Sequence, residues 1–167
     1  MKYFAYGSNM STARLKMRVP SAVPLGRHTL KEHDLRFHKY SKDGSGKCDA
    51  FYTGNVNDII FGVLFEINSS EKTELDKVEG LGYGYDEKEV TVSATDGSSF
   101  KAATYIATNI DKDLKPYSWY VNHVLIGAIE FSLPDDYVQM KIREVLSLDD
   151  LDKERDEKQR TVHTDSI

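Results

Sequence analysis

The chain has 167 residues, of which 40% are hydrophobic and 29% charged, with a formal net charge of −5. That length suits one ordinary domain with a buried core, and the composition is that of a globular chain, not a disordered one. Scattered Lys and Arg under an acidic balance argue against nucleic acid as a partner; no apolar run nears the roughly 18 residues of a membrane span and no secretory signal opens the chain, so a cytoplasmic protein without membrane association is expected.

Lys2-Tyr3-Phe4-Ala5-Tyr6 is short, aromatic and bounded by Gly7, the pattern of a buried strand entering a tight turn. Ser11 or Thr12 then caps a helix in which Leu15 and Val19 lie four apart, and Pro20 ends the pattern. Leu30 to Tyr40 reads as one strand, with Leu35 and Phe37 on one face and Arg36 and His38 on the other. Lys42 to Lys47 is a surface loop.

Ala50 to Gly54 and the apolar run Ile59 to Ile67 read as a hairpin whose second strand is buried on both faces; Gly62 within it marks a close backbone approach or a bend. Asn68 opens a short helix through Val78, with Glu71 three residues on as a capping box, and Gly80 stops it. Two further strands, Lys88 to Ala94 and Phe100 to Ala107, are joined through Asp96-Gly97-Ser98.

Apolar residues near helical spacing from Ser118 to Phe131, and again from Pro134 through Leu146, predict two helices packed on the strands. From Asp149 to Arg160 there are six acidic, four basic and one apolar residue, so this stretch reads as a solvated helix extension or a disordered tail. The expected organisation is one domain over residues 1–148 and a charged tail over 149–167. Strands mixed with a few helices indicate an α+β fold, with a strongly curved sheet or barrel.

Two features carry chemistry. The turn Tyr6-Gly7-Ser8-Asn9, between strand and helix, exposes backbone N–H groups suited to a carboxylate or a developing oxyanion, although a tight turn with a helix cap uses the same residues. Glu79 closes its helix beside Gly80 and a Gly- and Tyr-rich segment; the negative end of the helix dipole and partial burial disfavour its charged form, which suits proton transfer near neutral pH. The bland alternative is one exposed glutamate among many. The single cysteine, Cys48, excludes an internal disulfide and stands outside any cysteine-enzyme signature. His28, His33 and His38 recur every five residues, a spacing that does not converge on a metal, and no nucleotide or dinucleotide loop occurs, so neither metal nor cofactor is expected.

Tyr3-Phe4-Ala5-Tyr6-Gly7-Ser8-Asn9-Met10, Gly62-Val63-Leu64-Phe65-Glu66-Ile67 and Leu75-Asp76-Lys77-Val78-Glu79-Gly80, in this order and spacing, resemble the γ-glutamylcyclotransferase-like family. Tyr120, with Gly127-Ala128 and Leu133-Pro134 after it, resembles the family's C-terminal helical region, so the likeness spans roughly Lys2 to Leu146. The resemblance implies a small mixed β-barrel flanked by helices. It implies substrate binding by Tyr3, Phe4, Ala5, Tyr6, Gly7, Ser8, Asn9 and Tyr120, with Tyr117 three residues away as an alternative to Tyr120, and catalysis by Glu79. The implied partner is a small-molecule γ-glutamyl compound, cyclised to 5-oxoproline with release of an amino acid or amine, without metal or cofactor; a homodimer is implied as well. A non-catalytic binding module of the same fold is the rival reading, and the carboxylate at position 79 favours the enzyme.

Overall fold

A computed structural model describes residues 1–164; Asp165, Ser166 and Ile167, the end of the expected tail, lie outside the described residues. The strands are β1 (Lys2–Ala5), β2 (Val23–Lys31), β3 (His33–Tyr40), β4 (Gly46–Tyr52), β5 (Ile59–Glu66), β6 (Tyr85–Ala94) and β7 (Ser99–Ala107). The helices are α1 (Thr12–Lys16), α2 (Lys72–Glu79), α3 (Ser118–Glu130), α4 (Asp135–Val138) and α5 (Lys153–Thr161). A 3-10 turn spans Ser8–Met10, and a π turn over Gln139–Arg143 continues α4. No helix among the described residues is long and apolar enough to cross a membrane.

Strands β1, β5, β2, β6 and β7 form a closed barrel in that order, while β3 and β4 form a separate two-stranded sheet. Phe4, Ile60, Val63, Leu64, Phe65 and Val92 are fully buried, as expected of strands whose apolar residues find cover on both sides. β1 meets β7 in parallel at Tyr3 and Ala103, and the Thr104 hydroxyl donates to the Phe4 carbonyl at 2.8 Å across that closure. Closure leaves no exposed barrel edge and sets the end of β1 beside the end of β7. Gly62 is a close approach, as its sequence context predicts: a Cβ there would lie 2.5 Å from the Ala5 carbonyl oxygen and 2.6 Å from the Phe4 ring.

Four local readings are corrected. The stretch Leu30 to Tyr40 is not one strand: Glu32 adopts a positive φ of 61°, ending β2 and starting β3. β2 also reaches back to Val23, where Pro24 and a register shift before Gly26 mask the strand pattern. Ala50 to Gly54 and Ile59 to Ile67 do not pair with each other; β4 pairs with β3, while β5, apolar on both faces, takes β1 and β2 as neighbours. Asn68 caps through the Ser70 amide at 3.2 Å, but Glu71 forms no capping box, since its carboxylate accepts instead from the Ser21 amide at 3.0 Å.

The charged stretch after residue 148 is helical and docked. Asp150 is buried, receiving the Trp119 indole N–H at 2.8 Å and Arg155 at 2.6 and 2.7 Å. Gln159 and His163 reach His123 on α3, at 3.0 and 2.6 Å. A segment with almost no apolar side chains is held by polar contacts to buried partners, a source of order that hydrophobic periodicity does not register.

Candidate active site

The strand β1 delivers Tyr3 and Tyr6 to one end of the barrel, and the chain then turns through Gly7 into the 3-10 turn and α1. The Ser11 hydroxyl caps α1 by accepting from the Arg14 amide at 3.3 Å. Gly7 is required by space: a Cβ there would sit 2.8 Å from Cys48 Cβ and 3.2 Å from its Sγ. The amides of Gly7 and Ser8 make no hydrogen bond among the described residues, and both residues line a cleft.

That cleft is narrow, with about 30 Å³ open to a water-sized molecule, and is lined by Tyr3, Tyr6, Gly7, Ser8, Asn9, Cys48, Glu79, Tyr85, Tyr105 and Tyr120. Seven of these ten were singled out from sequence; the structure brings together residues from β1, α2 and α3 that are far apart in the chain. Phe4 and Ala5 are not among the lining residues. Strand alternation turns the Phe4 ring away from Tyr3 into the barrel core, and the Ala5 methyl is buried opposite Val63. Tyr120, not Tyr117, faces the cleft; Tyr117 precedes α3 and its hydroxyl donates to the Asp43 carbonyl at 3.1 Å.

Glu79 ends α2, and Gly80, in the left-handed conformation, closes the helix behind it. Its side chain is 15% exposed. Oε1 accepts from Asn9 Nδ2 at 2.8 Å and from Arg18 Nη1 at 3.2 Å, while Oε2 has no partner among the described residues. Arg18 Nη1 also donates to Asn9 Oδ1 at 3.0 Å, and Asn9 Nδ2 to the Tyr3 hydroxyl at 3.1 Å. One carboxylate oxygen is thus anchored and the other is not.

The remaining wall is a layer of tyrosines. The Tyr6 hydroxyl donates to the Tyr105 carbonyl, Tyr85 to the Cys48 carbonyl at 2.6 Å, and Tyr105 to Asp76 at 2.6 Å. Tyr120 Oη accepts from the Cys48 amide at 3.0 Å. Burial pushes the phenols of Tyr3, Tyr6, Tyr85 and Tyr120 well up, with Glu79 adding to the effect at Tyr3, so these hydroxyls stay protonated donors. Burial likewise pushes the Cys48 thiol up to about 12, which leaves it a packing residue and not a nucleophile. The three evenly spaced histidines bind locally: His28 to the Gly26 carbonyl, His33 to the Lys31 carbonyl and His38 to Asp49, at 2.9, 2.7 and 2.7 Å. Among the described residues no group of three or more His, Cys, Asp or Glu is placed to hold a metal ion.

An outer extension of about 120 Å³ shares Ser8, Glu79, Tyr85 and Tyr120 with this cleft and adds Arg14, Arg18, Lys39, Ser41, Lys47 and Val78. The sequence assigns no role to Arg14, Arg18, Lys39, Tyr85 or Tyr105. The sequence Gly-Tyr-rich segment after Gly80 was the one signal pointing near Tyr85.

Residues 59–140 match the AIG2-like family model. A Bos taurus gamma-glutamylcyclotransferase is 34% identical over 151 residues, covering 86% of this chain and 77% of that one. The chain belongs to the gamma-glutamylcyclotransferase family. The Homo sapiens member is 31% identical with the same coverage. A solved gamma-glutamyl cyclotransferase structure superposes with a TM-score of 0.84 at 30% identity, covering 94% of this chain and 95% of the other. A yeast cyclotransferase specific to glutathione shares the fold alone, with a TM-score of 0.62 at 10% identity over 86% of this chain and 94% of that one. The mixed five-stranded barrel is therefore the gamma-glutamylcyclotransferase fold.

Proposed function

We propose that this chain is a γ-glutamyl cyclotransferase in which Glu79 is the general acid/base. The observation carrying this reading is the carboxylate itself: Oε1 is clamped by Asn9 and Arg18, Oε2 has no partner among the described residues, and Glu79 lines the same cleft as Gly7 and Ser8. In the reaction, the α-amino nitrogen of a γ-glutamyl compound attacks its own γ-carbonyl carbon, forming the five-membered lactam. Glu79 takes a proton from the attacking nitrogen and returns it to the leaving nitrogen as the C–N bond breaks, giving 5-oxoproline and a free amino acid or amine. The amides of Gly7 and Ser8 polarise the γ-carbonyl and stabilise the tetrahedral oxyanion. The tyrosine wall holds the substrate folded, so that nucleophile and carbonyl meet at a lower entropic cost.

Tyr3, Tyr6, Asn9 and Tyr120 shape the glutamyl pocket in this scheme. The reading extends to a reducing, cytoplasmic setting, on the ground of the single buried thiol of Cys48, and to a homodimer, on the ground of the family resemblance. Purified protein incubated with γ-glutamyl amino acids and γ-glutamylamines should release 5-oxoproline, and Glu79→Gln should release it far more slowly. No product from any substrate overturns the reaction; equal product from Glu79→Gln overturns the role of Glu79. Light scattering tests the dimer.

A further inference from the structure

The outer cleft carries more positive charge than the surrounding chain neutralises. Arg14, Arg18, Lys39 and Lys47 line it, with Glu79 its one acidic lining residue. Two of these cations are matched: Arg18 with Glu79 at 3.2 Å, and Lys47 with Asp43 at 2.8 Å. The other two are not. Arg14 is 9% exposed, its Nη1 contacts His123 and Gln159, and its Nε has no partner among the described residues. The Lys39 ammonium makes no hydrogen bond or ion pair among the described residues and lies over the Tyr85 ring, 4.5 Å from its centroid. Cations removed from water without a counter-anion are costly, and a ligand anion in the cleft removes that cost.

We infer that Lys39 is a specificity-determining residue of the leaving-group subsite, its ammonium binding a carboxylate on the group released. The inference rests on the cyclotransferase reading. Glu79 stands where the inner and outer clefts join, and it is the group that must reach the leaving nitrogen. With the glutamyl part inside, everything beyond that nitrogen lies in the outer cleft. In an amino-acid leaving group the carboxylate sits two bonds from the nitrogen, within the space bordered by Lys39. Gly84 leaves room for this lysine: a Cβ at position 84 would come within 2.8 Å of Lys39 Cε and Nζ. Arg14, held behind the same wall, adds a field of the same sign. Burial lowers the proton affinity of Lys39, an effect that an arriving carboxylate reverses.

The deciding measurement compares kcat/KM for γ-glutamylalanine with that for γ-glutamylisopropylamide, which replaces the carboxylate by a methyl group. Wild type should favour the alanine compound, and Lys39→Met should lower that ratio about tenfold, the size of one charge-assisted contact. Lys39→Arg should keep the ratio within about threefold, because the charge is kept. Gly84→Ala, which displaces the ammonium without removing it, should lower the ratio in the same direction and serves if Lys39→Met does not fold. A Lys39→Met ratio equal to that of wild type overturns the inference, as it does if Lys39 binds the glutamyl carboxylate common to both substrates. Absence of 5-oxoproline from both compounds with wild type overturns the reaction and this inference together.

Discussion

Arg18 Nη1 lies 3.2 Å from Glu79 Oε1, joining the second residue after α1 to the last residue of α2. Both side chains are largely buried, and Asn9 bonds to each. The pair fixes which carboxylate oxygen is free. Glu79→Gln keeps the shape of the site but removes the group that carries the proton. Its turnover should fall by about 10²–10⁴-fold, measured as 5-oxoproline release, with a near-native melting temperature.

Arg18→Met should lower kcat roughly tenfold or more while leaving Glu79 in place, because an unclamped carboxylate samples orientations from which the proton is out of reach. Steady-state kinetics check this. A change confined to KM would instead make Arg18 a substrate-binding group.

Gly7→Ala should destabilise the protein by about 1–3 kcal/mol, the usual range for overpacking, because the new methyl group meets Cys48 at 2.8 Å. Denaturant unfolding measures the loss. Activity should fall further than stability, since relief of the clash moves the loop that carries the amides.

Acid should loosen the C-terminal helix. Burial, then Arg14 and then His163 lower the His123 pKa from 6.5 to about 3. Between those values the unfolded chain binds a proton that the folded chain refuses, so stability rises with pH across this window and is complete above it. Melting temperature should drop as pH falls below 6.5, with exchange of the α5 amides rising first. His123→Asn should flatten the profile.

Removal of residues 149–167 should lower the melting temperature by roughly 5 °C or more, since it strips the Asp150 carboxylate from the Trp119 indole and Gln159 from Arg14. Calorimetry on the truncated chain tests whether the segment is part of the domain. An unchanged melting temperature would return it to the status of a solvating tail.

The elements that sequence reading placed well are those whose signals are local. β1 is aromatic and stopped by glycine, α2 ends against Gly80 after a 3-10 turn capped by Asn68, and β6 and β7 meet at Asp96-Gly97-Ser98. Where partners are distant, local pattern misled: β5 looked like the mate of β4 because they are adjacent in the chain, yet a strand apolar on both faces is stable only between β1 and β2.

The sequence by itself determined that a glycine turn and a glutamate are present in the order and context of one family, because motif spacing survives in one dimension. Only the tertiary structure decided what surrounds them. Barrel closure turns Phe4 inward and Tyr3 to the cleft, and α1 brings Arg18 onto Glu79. The β3 and β4 sheet sets Lys39 and Cys48 against Tyr85. Hydrogen bonds and ion pairs act over about 3 Å in space with no limit along the chain, so neither periodicity nor composition records which of 22 basic residues stands beside the carboxylate.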